Sequence, residues 1–103
     1  MDFVVTWSPQ AREDLNDIAA FIAKGSPRYA SAVVGEILLA GRRLAQFPRR
    51  GRMVPELGDE DCREVFVYEY RVIYLIGGQT VQVLAVIHGR RMLGPESMRP
   101  AAD

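Results

Sequence analysis

The most informative pattern of apolar positions lies between residues 62 and 91. Three short runs there are rich in Val, Ile, Tyr, Phe and Thr, the residue types that suit a pleated and packed surface. They span residues 65–68, 70–76 and 80–87. Gly77 and Gly78 separate the last two runs, and paired glycines adopt the positive φ angles of a tight hairpin turn. The region therefore predicts an antiparallel β-meander.

Alternation within these runs predicts which residues share a face of the sheet. In the second run, Val72, Tyr74 and Ile76 lie on one face, and Arg71, Ile73 and Leu75 lie on the other. In the third run, one face has Val81, Val83, Ala85 and Ile87, and the other has Gln82, Leu84, Val86 and His88. Both faces are mostly apolar, so both need cover. The rest of the chain can cover one face, and we expect another molecule to cover the second.

Two helices are predicted before the meander, each opened by a Ser-Pro pair. The pairs are Ser8-Pro9 and Ser26-Pro27. Serine accepts hydrogen bonds from the first free backbone N–H groups, and proline suits the first helical position. Apolar residues follow both pairs at helical spacing, and we expect the helices to end near Lys24-Gly25 and near Phe47-Pro48. The short link between them predicts an antiparallel helical hairpin that covers one sheet face.

The remaining segments add a strand, two helical glycines and a tail. A β-like run at residues 2–7 precedes the first helix and can join the meander at either of two places. Gly35 and Gly41, in the second helix, permit close packing at some cost in helix propensity. Residues 94–103 are rich in Pro, Ala and charge and lack periodicity, which predicts a flexible tail after a single domain at residues 1–93. The fold class expected is α+β.

Composition excludes several classes of protein. The chain of 103 residues has no apolar run long enough to span a membrane, and its N-terminus lacks the features of a signal peptide. Cys62 is the single cysteine and His88 the single histidine, so neither an internal disulfide nor a Cys/His metal cluster is expected. These features indicate a cytoplasmic protein without a metal or cofactor. No direct sequence-specific nucleic-acid binding is expected of the chain alone.

Few residues can carry chemistry. His88 is a candidate general acid or base, or simply a half-buried residue that ends a strand. Arg71 lies inside an otherwise apolar strand, where a charge is costly unless it is paired or solvated. Either it pairs with Glu64 or Glu56, or it faces an open groove meant for an acidic partner, and Arg63 has the same two interpretations. The pattern leaves these alternatives open.

Two further features have alternative interpretations. Arg90 and Arg91 follow His88 directly and form either a solvated surface run or, with the arginines of residues 49–52, a basic rim for an acidic partner. Cys62 precedes Arg63. Either the arginine lowers the pKa of the Cys62 thiol, or Cys62 is simply a small residue at the start of a strand.

The order of strand, helical hairpin and meander, with its particular residues, resembles the RelE/ParE toxin superfamily of bacterial type II toxin–antitoxin systems. Two of the matching stretches read Trp-Ser-Pro-Gln-Ala-Arg-Glu-Asp-Leu and Val-Ile-His-Gly-Arg-Arg. The full set comprises residues 7–15 with Ile18 and Ile22, then 47–52, 54–57, 63–64, 70–74 and 86–91, and the resemblance extends from residue 3 to about residue 93.

The superfamily divides by target, and the resemblance implies one branch over the other. RelE-like members cleave messenger RNA on the ribosome with basic residues and often a late Tyr or His, whereas ParE-like members are described as poisons of DNA gyrase. This chain has no lysine near the meander and no tyrosine after Tyr74, which departs from the RelE pattern. The stretch His-Gly-Arg-Arg at residues 88–91, after the last predicted strand, is similar to ParE-like members. A minimal nuclease site of Arg71 and His88 is the alternative, and a degenerate toxin fold kept as a partner-binding module is a third.

The resemblance also implies a partner for the uncovered sheet face. Toxins of this superfamily are neutralised by a small antitoxin whose C-terminal segment, often acidic and amphipathic, folds on the toxin. We therefore expect a ParE-like gyrase inhibitor bound by a ParD-like antitoxin. The candidate residues for target or antitoxin contact are Arg63, Arg71, Tyr74, His88, Arg90 and Arg91.

Overall fold

Two helices and five strands make up residues 2–91, the part of the chain that the computed structural model describes. In chain order they are β1 (Val4–Trp7), α1 (Pro9–Ala23), α2 (Pro27–Arg43), β2 (Arg52–Met53), β3 (Cys62–Val67), β4 (Tyr70–Gly77) and β5 (Thr80–His88). The strands form one sheet in the order β1-β5-β4-β3-β2. The predicted flexible tail, residues 94–103, lies outside the described residues.

The sheet confirms the predicted meander and decides where the first strand joins it. β3, β4 and β5 pair antiparallel, whereas β1 lies at the β5 edge and pairs in parallel, from Val4 opposite Thr80 to Trp7 opposite Val83. Both helices pack on one face, α1 over β5 and α2 over β3. The architecture is therefore the expected α+β fold, with a mixed sheet because of β1.

The Ser-Pro pairs start both helices as predicted. The Ser8 and Ser26 hydroxyls accept hydrogen bonds from the third residue beyond them, at 3.0 and 3.1 Å. The predicted end of the second helix is wrong, because α2 stops at Arg43 and residues 44–46 continue as a tight turn of i to i−3 hydrogen bonds. Within residues 2–91, neither helix is long and apolar enough to cross a membrane.

The strand boundaries differ from the prediction at the β3–β4 turn. β3 begins at Cys62, three residues earlier than the predicted run, because Cys62 pairs with Leu75. It ends before Tyr68, which lies in the turn with φ at 53°. That left-handed conformation costs a side chain about 1–2 kcal/mol. In the β4–β5 turn, Gly78 has φ at 57°, as expected of a hairpin glycine, whereas Gly77 is still part of β4.

A β-bulge in β5 makes part of the predicted alternation wrong. Tyr74 lies opposite Val83, but the next residue back along β4, Ile73, lies opposite Ala85. Leu84 is therefore an extra residue, and every position after it changes face. The helix-facing side carries Val81, Val83, Val86 and His88, and the other side carries Leu84, Ala85 and Ile87.

The centre of the second sheet face is covered by the chain itself, which contradicts the expectation that another molecule covers that face. Ile73, Leu84 and Ala85 on that face are buried together with Val54. The segment after β2 lies over these strands, where Val54 donates a backbone hydrogen bond to Cys62. Apolar side chains that remain exposed on this face include Phe66 and Leu75. A separate molecule is not needed to keep the centre of this face dry.

The two helical glycines differ in their surroundings. A Cβ on Gly41 would lie 2.7 Å from Cζ2 of Trp7, so the absence of a side chain lets α2 approach β1. A Cβ on Gly35 would meet nothing within 4 Å. The need for close packing therefore explains why a glycine occupies position 41, but it does not explain the glycine at position 35.

We predict opposite effects of alanine at these two positions. Gly41→Ala should lower the free energy of unfolding by about 1–2 kcal/mol, because the indole of Trp7 must move. Gly35→Ala, the matched control, should raise it by about 0.5–1 kcal/mol through helix propensity. Urea denaturation of the purified variants measures both changes. A stability gain at both positions would contradict the close approach of α2 to Trp7.

Candidate functional site

Arg71 is the centre of a buried ion cluster. Its Nε donates to Glu64 Oε1 at 2.6 Å, while its two terminal nitrogens donate to the two Glu56 oxygens at 2.8 Å. The side chain is only 5% exposed. Of the alternatives open from the sequence, the structure therefore favours pairing, and with both carboxylates at once. Nη1 also donates to the backbone oxygen of Arg91 at 3.2 Å, which ties the end of the meander to the cluster.

The cluster holds its charges because each is compensated. Hydrogen bonds to Glu56 and then to Glu64 raise the pKa of Arg71 above its ordinary value, against the opposing effect of burial. A second cation, Arg52, reaches the fully buried Glu64 from the surface at 2.6 Å. Its guanidinium carbon also lies 5.2 Å from the centre of the Phe66 ring. In the sequence, Arg52 is one of the clustered arginines of residues 49–52. Only its position opposite Glu64 in the β2–β3 pairing shows that it helps to compensate the Glu64 charge.

Arg63 and Tyr74, two other candidate contact residues, hold backbone in place. Arg63 donates to the backbone oxygens of Glu60 and Gly51, each at 2.9 Å. The Tyr74 hydroxyl is buried and accepts a hydrogen bond from the Gly51 backbone N–H at 3.0 Å, and burial raises the pKa of Tyr74. A Cβ on Gly51 would lie 2.4 Å from the Glu64 backbone oxygen, so only glycine fits there. Whether Arg63 or Tyr74 touches a partner stays a prediction.

Cys62 is buried at the start of β3 and has no surface access. Burial, followed by the nearby Asp59 and Glu64 carboxylates, raises the pKa of its thiol to about 11. The neighbouring Arg63 therefore does not activate it, and Cys62 behaves as a small core residue. This outcome removes a cysteine nucleophile from the candidates.

His88 lies at the exposed end of β5 on the helix side of the sheet. Its ring meets the Tyr70 ring edge-on, with 5.9 Å between centres. Nε2 is 3.6 Å from a Glu69 carboxylate oxygen, and Nδ1 accepts a hydrogen bond from the Arg90 backbone N–H at 3.2 Å. Because Arg71 points to the opposite face, the two residues of the alternative nuclease site are not brought together.

The surface around His88 holds the remaining candidates. Arg90 lines a depression of about 450 Å³ with Phe66 and Glu69, and Arg91 lines an adjoining one of about 280 Å³ with Phe21. Within residues 2–91, neither the Arg90 nor the Arg91 side chain makes an ion pair. We call this exposed region the β5-end surface, defined by Phe66, Glu69, His88, Arg90 and Arg91.

Exposed aromatic residues beside this surface were not identified from the sequence. Phe21 is 70% exposed, and Tyr29 and Tyr68 meet edge-on with 6.0 Å between ring centres. They line one side of a shallow depression of about 450 Å³. For Phe21 and Tyr29 the only available signal was a position outside the apolar helical stripes, which alone does not distinguish a binding residue from an ordinary exposed one.

A separate groove runs between α2 and the outer edge of β3. β2 pairs only with Arg63 and Glu64, so within residues 2–91 the edge from Val65 to Val67 has no strand partner. The groove has a volume of about 270 Å³, and Arg43 and Arg50 contribute to its lining. We call it the α2–β3 groove.

Among the described residues, no group of His, Cys, Asp and Glu could hold a metal ion.

Comparison with known proteins identifies a matching family and solved structures of similar fold. A family model described as the ParE toxin of a type II toxin–antitoxin system, parDE, matches residues 5–93. A protein of Caulobacter vibrioides named Toxin RelE2 is 30% identical over 89 residues, which cover 85% of this chain and 97% of that protein.

Two solved structures have a similar fold. One, from the chromosomal ParDE toxin–antitoxin system of P. aeruginosa, has a TM-score of 0.69 at 19% identity and covers 84% of this chain and 95% of its own. The other, from the RelBE2 toxin–antitoxin complex of Mycobacterium tuberculosis, has a TM-score of 0.59 at 24% identity and covers 85% of this chain and 99% of its own. At these identities the likeness concerns the fold alone.

The ion cluster predicts a large stability difference between two arginines that share Glu64. Arg71→Met should lower the free energy of unfolding by about 3–5 kcal/mol, because it leaves a buried carboxylate without its main counter-charge. Arg52→Met, at a side chain that is 60% exposed, should cost at most about 1 kcal/mol. Guanidinium chloride denaturation measures both. Equal losses in the two variants would contradict a structural role for Arg71.

Proposed function

The chain belongs to the ParE toxin family of type II toxin–antitoxin systems, and we propose that it inhibits DNA gyrase by protein–protein contact and is held inactive by a ParD-like antitoxin. The observation that carries this proposal is the separation of Arg71 from His88. Arg71 lies on the face that carries Ile73 and Ile87, whereas His88 lies beside Tyr70 on the helix side.

The bonding of Arg71 further supports contact over catalysis. Each of its three guanidinium nitrogens already donates to a protein oxygen. To stabilise an RNA phosphate, the guanidinium would have to leave two carboxylates, one of them on the fully buried Glu64. That exchange is unfavourable because it strands a buried negative charge. An arginine anchored in this way is suited to maintaining the fold and not to binding a substrate.

The β5-end surface supplies the kind of residues that mark a protein interface. Arg90 and Arg91 are exposed, and Phe66 is 53% exposed beside them. Arginine and aromatic residues are enriched among the side chains that contribute most to protein–protein binding. We therefore assign the contact with gyrase to this surface.

The α2–β3 groove supports the antitoxin part of the proposal. An unpaired strand edge accepts an extended peptide as an additional strand, whose backbone supplies the hydrogen bonds. Arg43 and Arg50 outnumber the one carboxylate that lines this groove, Glu36, so an acidic segment would be favoured. We assign the groove to an extended segment of the antitoxin.

A ribosome-dependent messenger-RNA endoribonuclease is the second candidate. It is favoured by the similarity to a protein named Toxin RelE2. It is also favoured by the proximity of His88 to the Glu69 carboxylate, because a histidine oriented by a carboxylate can act as a general base. In that case His88 would be catalytic, with Arg71 the other residue expected at such a site.

Charge reversal on the β5-end surface tests the first candidate. In cells that express the toxin without antitoxin, Arg90→Glu combined with Arg91→Glu should raise the inducer level needed for growth arrest roughly tenfold, the equivalent of about 1.4 kcal/mol of contact free energy. Arg12→Glu, which reverses an exposed charge on α1, is the matched control and should leave toxicity unchanged. Full toxicity of the double variant would place the target contact elsewhere.

His88 separates the two candidate functions. Under gyrase inhibition, His88→Ala should change toxicity less than about threefold, because the exposed ring contributes a rim contact of at most a few tenths of a kcal/mol. Under RNA cleavage, loss of a general base should reduce activity about 10²–10⁴-fold. Growth assays with matched expression levels give the answer, and abolished toxicity would favour the ribonuclease.

A further inference from the structure

The sequence at the end of β5 does not by itself specify the register in which this strand pairs with β4. Residues 83–87 are all apolar, and apolar residues are acceptable on either side of this sheet because both sides are buried. A strand register is strongly specified only where alternation separates apolar from polar positions. Something outside β5 must therefore fix the bulge at Leu84.

Two side chains of the α1 region provide that constraint. The Ser8 hydroxyl, fully buried, donates to the Leu84 backbone oxygen at 2.9 Å while it caps α1. One Asp14 carboxylate oxygen accepts the Val86 backbone N–H at 2.9 Å. The other accepts the Gln10 side-chain amide at 2.8 Å, which orients the carboxylate. Ser8 and Asp14 thus satisfy the Leu84 carbonyl and the Val86 N–H with their side chains, and the Ser8 backbone N–H also donates to the Val83 oxygen at 2.9 Å.

These contacts are needed because β1 ends too early to pair with the rest of β5. The parallel ladder stops at Trp7 opposite Val83, where the chain turns into α1. Beyond Val83, and within the described residues, no strand pairs with that edge of β5. A buried backbone group without a partner is strongly unfavourable, so the side chains take the place of the missing strand.

The register decides which side of the sheet carries His88. Without an extra residue at Leu84, simple alternation from Val83 would place His88 on the Arg71 face. With the bulge, His88 lies beside Tyr70 on the helix side. The bulge is therefore the feature that separates Arg71 from His88.

We propose that Asp14 is a positioning residue that holds the bulge at Leu84 and so determines on which face of the sheet His88 and the following arginines are presented. Loss of its acceptor oxygen lets the end of β5 relax toward the unbulged register. The effect on toxicity rests on the proposed function of the β5-end surface, whereas the effect on the register does not.

The test compares the purified wild-type protein with Asp14→Ala, Asp14→Asn and Asp17→Ala by NMR. In Asp14→Ala we expect the Val86 amide to exchange at least about tenfold faster and the His88–Tyr70 ring contacts to disappear. Asp14→Asn keeps an acceptor oxygen and should keep those contacts, and Asp17→Ala controls for loss of an exposed carboxylate on the same helix. Intact His88–Tyr70 ring contacts in Asp14→Ala, with or without faster Val86 exchange, would overturn the proposal.

Asp14→Asn also provides a measurement if Asp14→Ala does not fold. A neutral acceptor binds an N–H less strongly than a carboxylate, so the Val86 amide should exchange about threefold faster while the Val72 amide is unchanged. Equal Val86 rates in Asp14→Asn and the wild type would then overturn the proposal. A gyrase supercoiling assay on the same samples separates the two claims: a lost register in the variant, with no gyrase inhibition by the wild type, refutes only the proposed function.

Discussion

The buried guanidinium of Arg71 is the interaction on which the second half of the structure depends. A charge inside a sheet face is tolerated only with close counter-charges. The two carboxylates that supply them come from different places, Glu64 from β3 and Glu56 from the segment after β2. Because that segment must reach Arg71, it crosses the sheet and buries Val54 over the apolar residues of that face. The same guanidinium holds the backbone oxygen of Arg91.

This arrangement divides the basic residues of the meander into two functional groups. Arg71 is engaged inside the protein and is unavailable to a ligand without loss of the cluster. Arg90 and Arg91 follow β5 and are exposed at the β5-end surface. The bulge at Leu84 completes the division, since it turns His88 away from the Arg71 face. A protein built this way is suited to recognition through an exposed surface, which is the basis of the proposed inhibition of gyrase.

Much of the fold was predictable because local signals agree with the global structure. The Ser-Pro pairs start both helices, and the β-rich runs give the meander in its correct order. The bulge was not predictable, because residues 83–87 are apolar throughout and alternation carries no information there. Nor could the sequence decide between Glu56 and Glu64 as the partner of Arg71, since the answer depends on where the crossing segment lies. The exposed aromatic residues Tyr29 and Tyr68 come together only through tertiary structure.

We propose that this toxin acts by contact and not by cleavage of RNA. The most direct measurement incubates purified, antitoxin-free protein in parallel with gyrase, relaxed plasmid and ATP, and with ribosomes stalled on a defined messenger RNA. We predict that supercoiling is blocked, or cleaved plasmid is trapped, while the messenger RNA stays intact. Cleaved messenger RNA with normal supercoiling would contradict the account, and Arg71 and His88 would become candidate catalytic residues.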